Sequence, residues 1–128
     1  MGAIIGAVAV GGAIGSIGRL LIGVAIQQRL GTTFPAATLV INVTGSLLLG
    51  FIVRMVLDSS ADSPAMRAFL TTGICGGYTT FSTFSYELAL LIEEGSTARA
   101  ALYATASVGL ALAGTFAGFA IARLVRSS

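Results

Sequence analysis

The sequence predicts an all-α membrane protein of four transmembrane helices, the third of them broken. Three observations predict it. The 128 residues are 55% hydrophobic and only 9% charged, where soluble domains carry about 25% charged residues. Four apolar stretches, each near the roughly 20 residues that a bilayer span needs, fill residues 1–128 as a single transmembrane domain. The third contains Gly76-Gly77-Tyr78-Thr79-Thr80-Phe81-Ser82-Thr83-Phe84-Ser85, and a continuous span should avoid paired glycines followed by hydroxyls. Such backbone persists at membrane depth only where protein buries it or where it lines a wet pathway.

Composition removes several function classes. There is no His, all seven basic residues are Arg, and the net charge is +2. Imidazole acid–base and metal chemistry are therefore absent, and a small, dispersed charge does not suit nucleic acid. The single Cys75 has no partner for an internal disulfide and reads as a small buried hydrophobe. The N-terminal stretch lacks a basic leader and exceeds a signal-peptide core in length, so it is expected to be a transmembrane helix.

Segment one is expected over about Ala3 to Gln27. The spacings Gly2/Gly6 and Gly11/Gly15 allow close helix approach, and Arg19 either snorkels outward or faces a polar interior. A loop from Arg29 to Pro35 follows, with Pro35 suited to the first turn of the next helix. Segment two, Ala36 to Val53, carries Thr38 and Asn42 at i,i+4, on one face with Gly45. The Asn42 amide must be paired in hydrocarbon; it serves as interhelical glue or as a pore-facing donor, and the shared face favours a polar track.

Asp58 to Pro64 is the most polar run and reads as a loop entering a helix. Segment three spans about Ala65 to Ile92. Gly73, Gly76 and Gly77 are expected to interrupt it, with the helix restarting near Thr79. A break frees carbonyls that suit a hard cation such as Na⁺, and amides that suit an anion. Beyond it, steps of about 100° per residue set Phe81 and Phe84 some 60° apart, flanked by Thr80 and Thr83 on one side and Ser82 and Ser85 on the other. Singly, these hydroxyls could bond back to their own helix. As a cluster beside a break, hydroxyls and ring edges can face an anion without a full charge. Glu87 is a proton-relay or substrate-binding candidate if buried, and its nearness to Glu93 favours ordinary solvation at the interface instead. Segment four, about Ala98 to Ala122, places Tyr103 and Ser107 at i,i+4 as a possible extension of the track.

Arg54, Arg67, Arg123 and Arg126 fall on the expected terminal face, and Arg29 and Arg99 on the other. So weak a bias is compatible with insertion both ways and with an antiparallel assembly.

The third-segment motif, preceded by Thr71-Thr72-Gly73-Ile74-Cys75, closely resembles the signature of the Fluc/CrcB-type fluoride channels. Gly15-Ser16-Ile17-Gly18-Arg19 and the run from Ala37 to Gly45 around Asn42 support the resemblance, which covers essentially the whole chain. It implies an antiparallel, dual-topology homodimer in the cell membrane, with two fluoride pathways and a structural Na⁺ at the interface. By motif position, Asn42 is the pore-lining amide, Phe81 and Phe84 the aromatic pair, and Thr80, Ser82 or Thr83 the neighbouring hydroxyls. Thr38 belongs to the same polar track, and Tyr103 and Ser107 continue it. Arg19 lies near the vestibule, and the Gly76 and Thr79 carbonyls hold Na⁺. Ala111 stands where a further polar residue is expected, and Ala36 or Ala37 replaces the usual Gly before Thr38.

The expected function is passive fluoride export by a channel, not an enzyme. Its partners are fluoride, a second copy and the bilayer, and no nucleic acid. A proton-coupled multidrug transporter is the rival, but it needs an embedded carboxylate, usually in segment one, and segment one has no acid. A non-transporting assembly subunit would leave the break and hydroxyl cluster unexplained.

Overall fold

A computed structural model describes residues 1–31, 33–57, 59 and 62–128. Thr32 of the first expected loop, and Asp58, Ser60 and Ala61 of the second, lie outside the described residues. Every regular element among the described residues is helical. Helix α1 is Gly2–Leu30 and α2 is Ala36–Leu57. The third segment comprises α3 (Pro64–Ala68), a π-helical stretch (Phe69–Cys75), α4 (Gly76–Tyr78) and α5 (Phe81–Glu93). Helix α6 runs from Thr97 to Ser127.

Helices α1, α2 and α6 are long and apolar enough to cross a membrane. Helix α5, at 13 residues, rises only about 20 Å, short of a hydrocarbon core of about 30 Å. The helix ends follow local chemistry. Gly31 closes α1 in the left-handed region at φ 56°, with its N–H donated to Gln27 O at 3.0 Å; glycine meets this conformation without a Cβ penalty. Ser63 caps α3 by accepting from Met66 N–H at 3.1 Å, and Pro64 occupies the first turn. Helices α2 and α6 run past the expected ends at Val53 and Ala122, so Arg54, Arg123 and Arg126 are helical. Arginine is a good helix former, and near a C-terminus it also complements the helix dipole.

Glycines set the packing in two places. Along α2 and α6, a Cβ at Gly114 would stand 3.0 Å from Val43 O, and one at Gly118 would stand 2.6 Å from Phe51 N. Along α1 and the third segment, a Cβ at Gly11 would lie 3.0 Å from Gly73 Cα, and one at Gly77 would lie 2.7 Å from Gly12 O. Backbone therefore meets backbone, the mode that small residues permit between helices in lipid. The Gly11/Gly15 spacing takes part in this packing, whereas Gly2 and Gly6 have nothing within 4 Å in the chain.

The glycines of the third segment do not interrupt it. Gly76 is helical at φ −64°, ψ −38°, and the non-helical residues are Thr79 and Thr80, with ψ of 159° and 110°. The expected restart was near Thr79; α4 ends at Tyr78 and the helix resumes at Phe81, and Gly76 and Gly77 lie within α4. Contact with α1 accounts for the absence of side chains at Gly73 and Gly77, and the chain bends where a neighbouring helix offers Thr80 other hydrogen bonds.

A core of Phe84, Leu91, Ala100 and Tyr103 fixes α5 against α6, with Phe34 and Leu39 packed on it. Phe84 and Tyr103 meet edge to face at 5.1 Å between ring centroids, a geometry that adds to the burial of two rings.

Candidate functional site

The two extended residues are held by α2. Asn42 Nδ2 donates to Thr80 O at 3.1 Å, and Thr80 N–H donates to Asn42 Oδ1 at 2.8 Å. One amide side chain thus pairs both backbone groups of a residue that has left the helix, which avoids the cost of leaving them unsatisfied at membrane depth. Thr80 also caps α5: its Oγ1 accepts from Thr83 N–H at 3.2 Å and donates to Thr83 Oγ1 at 3.0 Å. Ser82 Oγ stands 3.4 Å from the same hydroxyl.

These bonds redirect amides that a continuous helix would use elsewhere. Thr80 N–H would have met Gly76 O, and Thr83 N–H would have met Thr79 O. Both carbonyls lose those donors. The Gly77 carbonyl is claimed differently, by Arg19 Nε at 3.2 Å and Ser16 Oγ at 3.5 Å. Among the described residues, no three His, Cys, Asp or Glu side chains converge.

Two cavities flank this point. One, of about 510 Å³, is lined by Asn42, Gly76, Thr79, Thr80, Phe81, Phe84 and Ser107, with Ser46, Thr71 and Ala111 at its walls. The other, of about 470 Å³, is lined by Ser16, Arg19, Gln27, Thr38, Thr80 and Thr83. Thr80 borders both. Phe81 and Phe84 have ring centroids 5.6 Å apart at 56°, but their surroundings differ: Phe84 is buried and Phe81 is 77% exposed. Ser107 Oγ is buried without a hydrogen-bond partner, so it is a polar atom free to meet something in the cavity.

The residues expected to form one track are distributed. Thr38 and Asn42 share a helix face yet open into different cavities. Tyr103 borders neither cavity. It is wholly buried in the core, its hydroxyl donating to Glu87 Oε1 at 3.1 Å. Glu87 is half-buried and hydrogen-bonded. That arrangement differs from simple solvation at the interface, and its cause is a tyrosine on α6 that sequence spacing could not bring to α5. Ser46, one turn beyond Asn42, and Ser16, inside the Gly15–Arg19 motif, line the cavities although no role was expected of either. Their positions relative to Asn42 and Arg19 were the available signals.

Helical throughout its regular elements, with three membrane-length apolar helices around hydroxyl-lined cavities, the chain is a multi-pass α-helical membrane protein. It belongs to the CrcB family: the family described as "CrcB-like protein, Camphor Resistance (CrcB)" matches residues 6–119. Similar proteins include the fluoride-specific ion channel FluC of Rhizobium meliloti, 48% identical over 91% of this chain and 93% of the relative. The FluC proteins of Rhodospirillum centenum and Nitrobacter winogradskyi are 45% and 49% identical. These two alignments cover 91% and 93% of this chain, and 93% and 94% of the respective relatives.

Proposed function

We propose that the protein is a fluoride-selective channel of the cell membrane that passively exports fluoride from the cytoplasm. It is a channel and not an enzyme. The observation that carries this reading is kinship of 45–50% identity, over most of the chain, with proteins named fluoride-specific ion channels. The site's chemistry supports it. Around Thr80, the Asn42 amide, the hydroxyls of Ser82, Thr83 and Ser107, and the ring edges of Phe81 and Phe84 offer partial positive charge, while the Thr38 hydroxyl pairs with Tyr103. Arg19 stands at the second cavity as the cation that draws the anion in. Hydroxyls, amides and ring edges replace hydration without a full charge that would trap the ion. Tyr103, with its hydroxyl committed to Glu87, contributes to the track by holding Phe84 in place.

Residues 64–93 are read as one interrupted crossing, since neither half is long enough alone. The functional unit is read as an antiparallel, dual-topology homodimer. Phe81 supports this, because a ring 77% exposed beside the polar break is suited to cover by a second copy. The weak Arg asymmetry supports it as well. A structural Na⁺ fits the carbonyls of Gly76 and Thr79, both relieved of their helical donors. Two such oxygens per chain are few for a cation, and a second copy doubles them. The Gly76 and Thr79 carbonyls would hold the ion, which would supply positive charge to offset their dipoles. A proton-coupled exporter would carry an acid in its first span, and α1 has none.

Flux from liposomes containing only the purified protein tests the proposal. Fluoride efflux without chloride efflux is expected; folded dimers that release no fluoride would overturn it.

A further inference from the structure

We infer that Asn42 is a positioning residue for the cation site, keeping the Gly76 carbonyl available by taking the one amide that would otherwise occupy it. The inference rests on the reading that Na⁺ binds the Gly76 and Thr79 carbonyls, and it adds a cause for their availability. Thr80 N–H is bound to Asn42 Oδ1 at 2.8 Å. Without that acceptor, the half-buried N–H has the Gly76 carbonyl as its partner in a regular helix, so recovery of one bond closes the break. The second carbonyl is kept open in the same manner. Thr80 Oγ1 takes Thr83 N–H at 3.2 Å, the donor that Thr79 O would receive if α4 continued into α5.

Asn42 and Thr80 therefore bias a two-residue element whose extended form alone presents both oxygens. Because Na⁺ would bind that form, linkage is reciprocal: the cation strengthens the pairing of Asn42 with Thr80, and the pairing strengthens the cation site. Thr80 borders both cavities, so the same equilibrium moves a residue on the wall of each.

The test uses the purified dimer, with equilibrium binding of radioactive Na⁺ and the Na⁺-dependent rise in melting temperature that binding to the folded state produces. Asn42→Ala is expected to raise half-saturation by about tenfold, the worth of one redirected hydrogen bond. Asn42→Asp, which retains an acceptor for Thr80 N–H, is expected to bind Na⁺ at least as well as wild type. Thr80→Val is expected to weaken binding through Thr79, whereas Thr80→Ser leaves it unchanged. Wild-type Na⁺ affinity in both Asn42→Ala and Thr80→Val would overturn the inference while leaving the cation site standing. Wild-type protein without saturable Na⁺ binding would remove the cation site and the inference with it. If Asn42→Ala does not assemble, the comparison of Thr80→Val with Thr80→Ser decides.

Discussion

Phe81 and Phe84 show how three positions on a helix assign different duties to identical side chains. Phe84 is locked between Tyr103 and its neighbours, so truncation there damages the core as well as any pathway. Phe81 meets Phe84 and the cavity wall. Phe81→Ile is therefore expected to lower fluoride flux from liposomes at least tenfold while the single-chain core around Phe84 stays intact. Flux equal to wild type in this variant would remove Phe81 from the pathway. Phe84→Ala, by contrast, should destabilise the protein by about 3–5 kcal/mol, as loss of a buried ring does, which makes its flux uninformative. Glycine gives the complementary case. A methyl group at Gly77 would stand 2.7 Å from Gly12 O, and rigid backbone on both sides leaves no room for adjustment. Gly77→Ala is expected to cost about 1–3 kcal/mol, the range for overpacking. Thermal unfolding in detergent measures it, with Gly12→Ala, which has open space at its own Cβ position, as the control.

At the scale of elements, the apolar helices were legible because hydropathy and length alone specify them: α1, α2 and α6 lie where composition places them. The candidate site stood out as a cluster, since paired glycines and hydroxyls have no place in an ordinary span. The position of the break did not. A glycine run signals low helix propensity, but Gly73 and Gly77 are small because α1 approaches them, through Gly11 at the first and Gly12 at the second. Thr79 and Thr80 have no comparable local signal; they leave the helix because Asn42, 38 residues earlier in the chain, satisfies both polar groups of Thr80. The link between Glu87 and Tyr103 was hidden for the same reason, as a contact between separate helices. Only the cap at Thr80 had a sequence cue, a hydroxyl residue immediately before the first helical turn, and the expected restart at Thr79 obscured it.

At the scale of the whole molecule, the proposed antiparallel pair depends on a balance that the sequence makes easy to upset. Four arginines, at 54, 67, 123 and 126, oppose two, at 29 and 99. The rule that basic loops stay cytoplasmic acts through such small differences. Replacing Arg29 and Arg99 by Gln leaves four against none, so a C-terminal topology reporter should find the chain in one orientation. Antiparallel pairs then cannot form, and cells expressing this variant alone should lose fluoride efflux. The opposite variant, with Arg54, Arg123 and Arg126 replaced by Gln, retains one arginine against two and should insert the other way. Arg54 stacks on Phe119 at 4.4 Å, a contact worth about 0.5–1 kcal/mol at an exposed site, so this variant should still fold. Expressed together, the two chains supply both orientations, and efflux should return. Restoration on co-expression, with neither variant active alone, is the result that an antiparallel dimer requires. Efflux from a uniformly oriented single variant at the wild-type rate would show that the pathway needs no inverted partner.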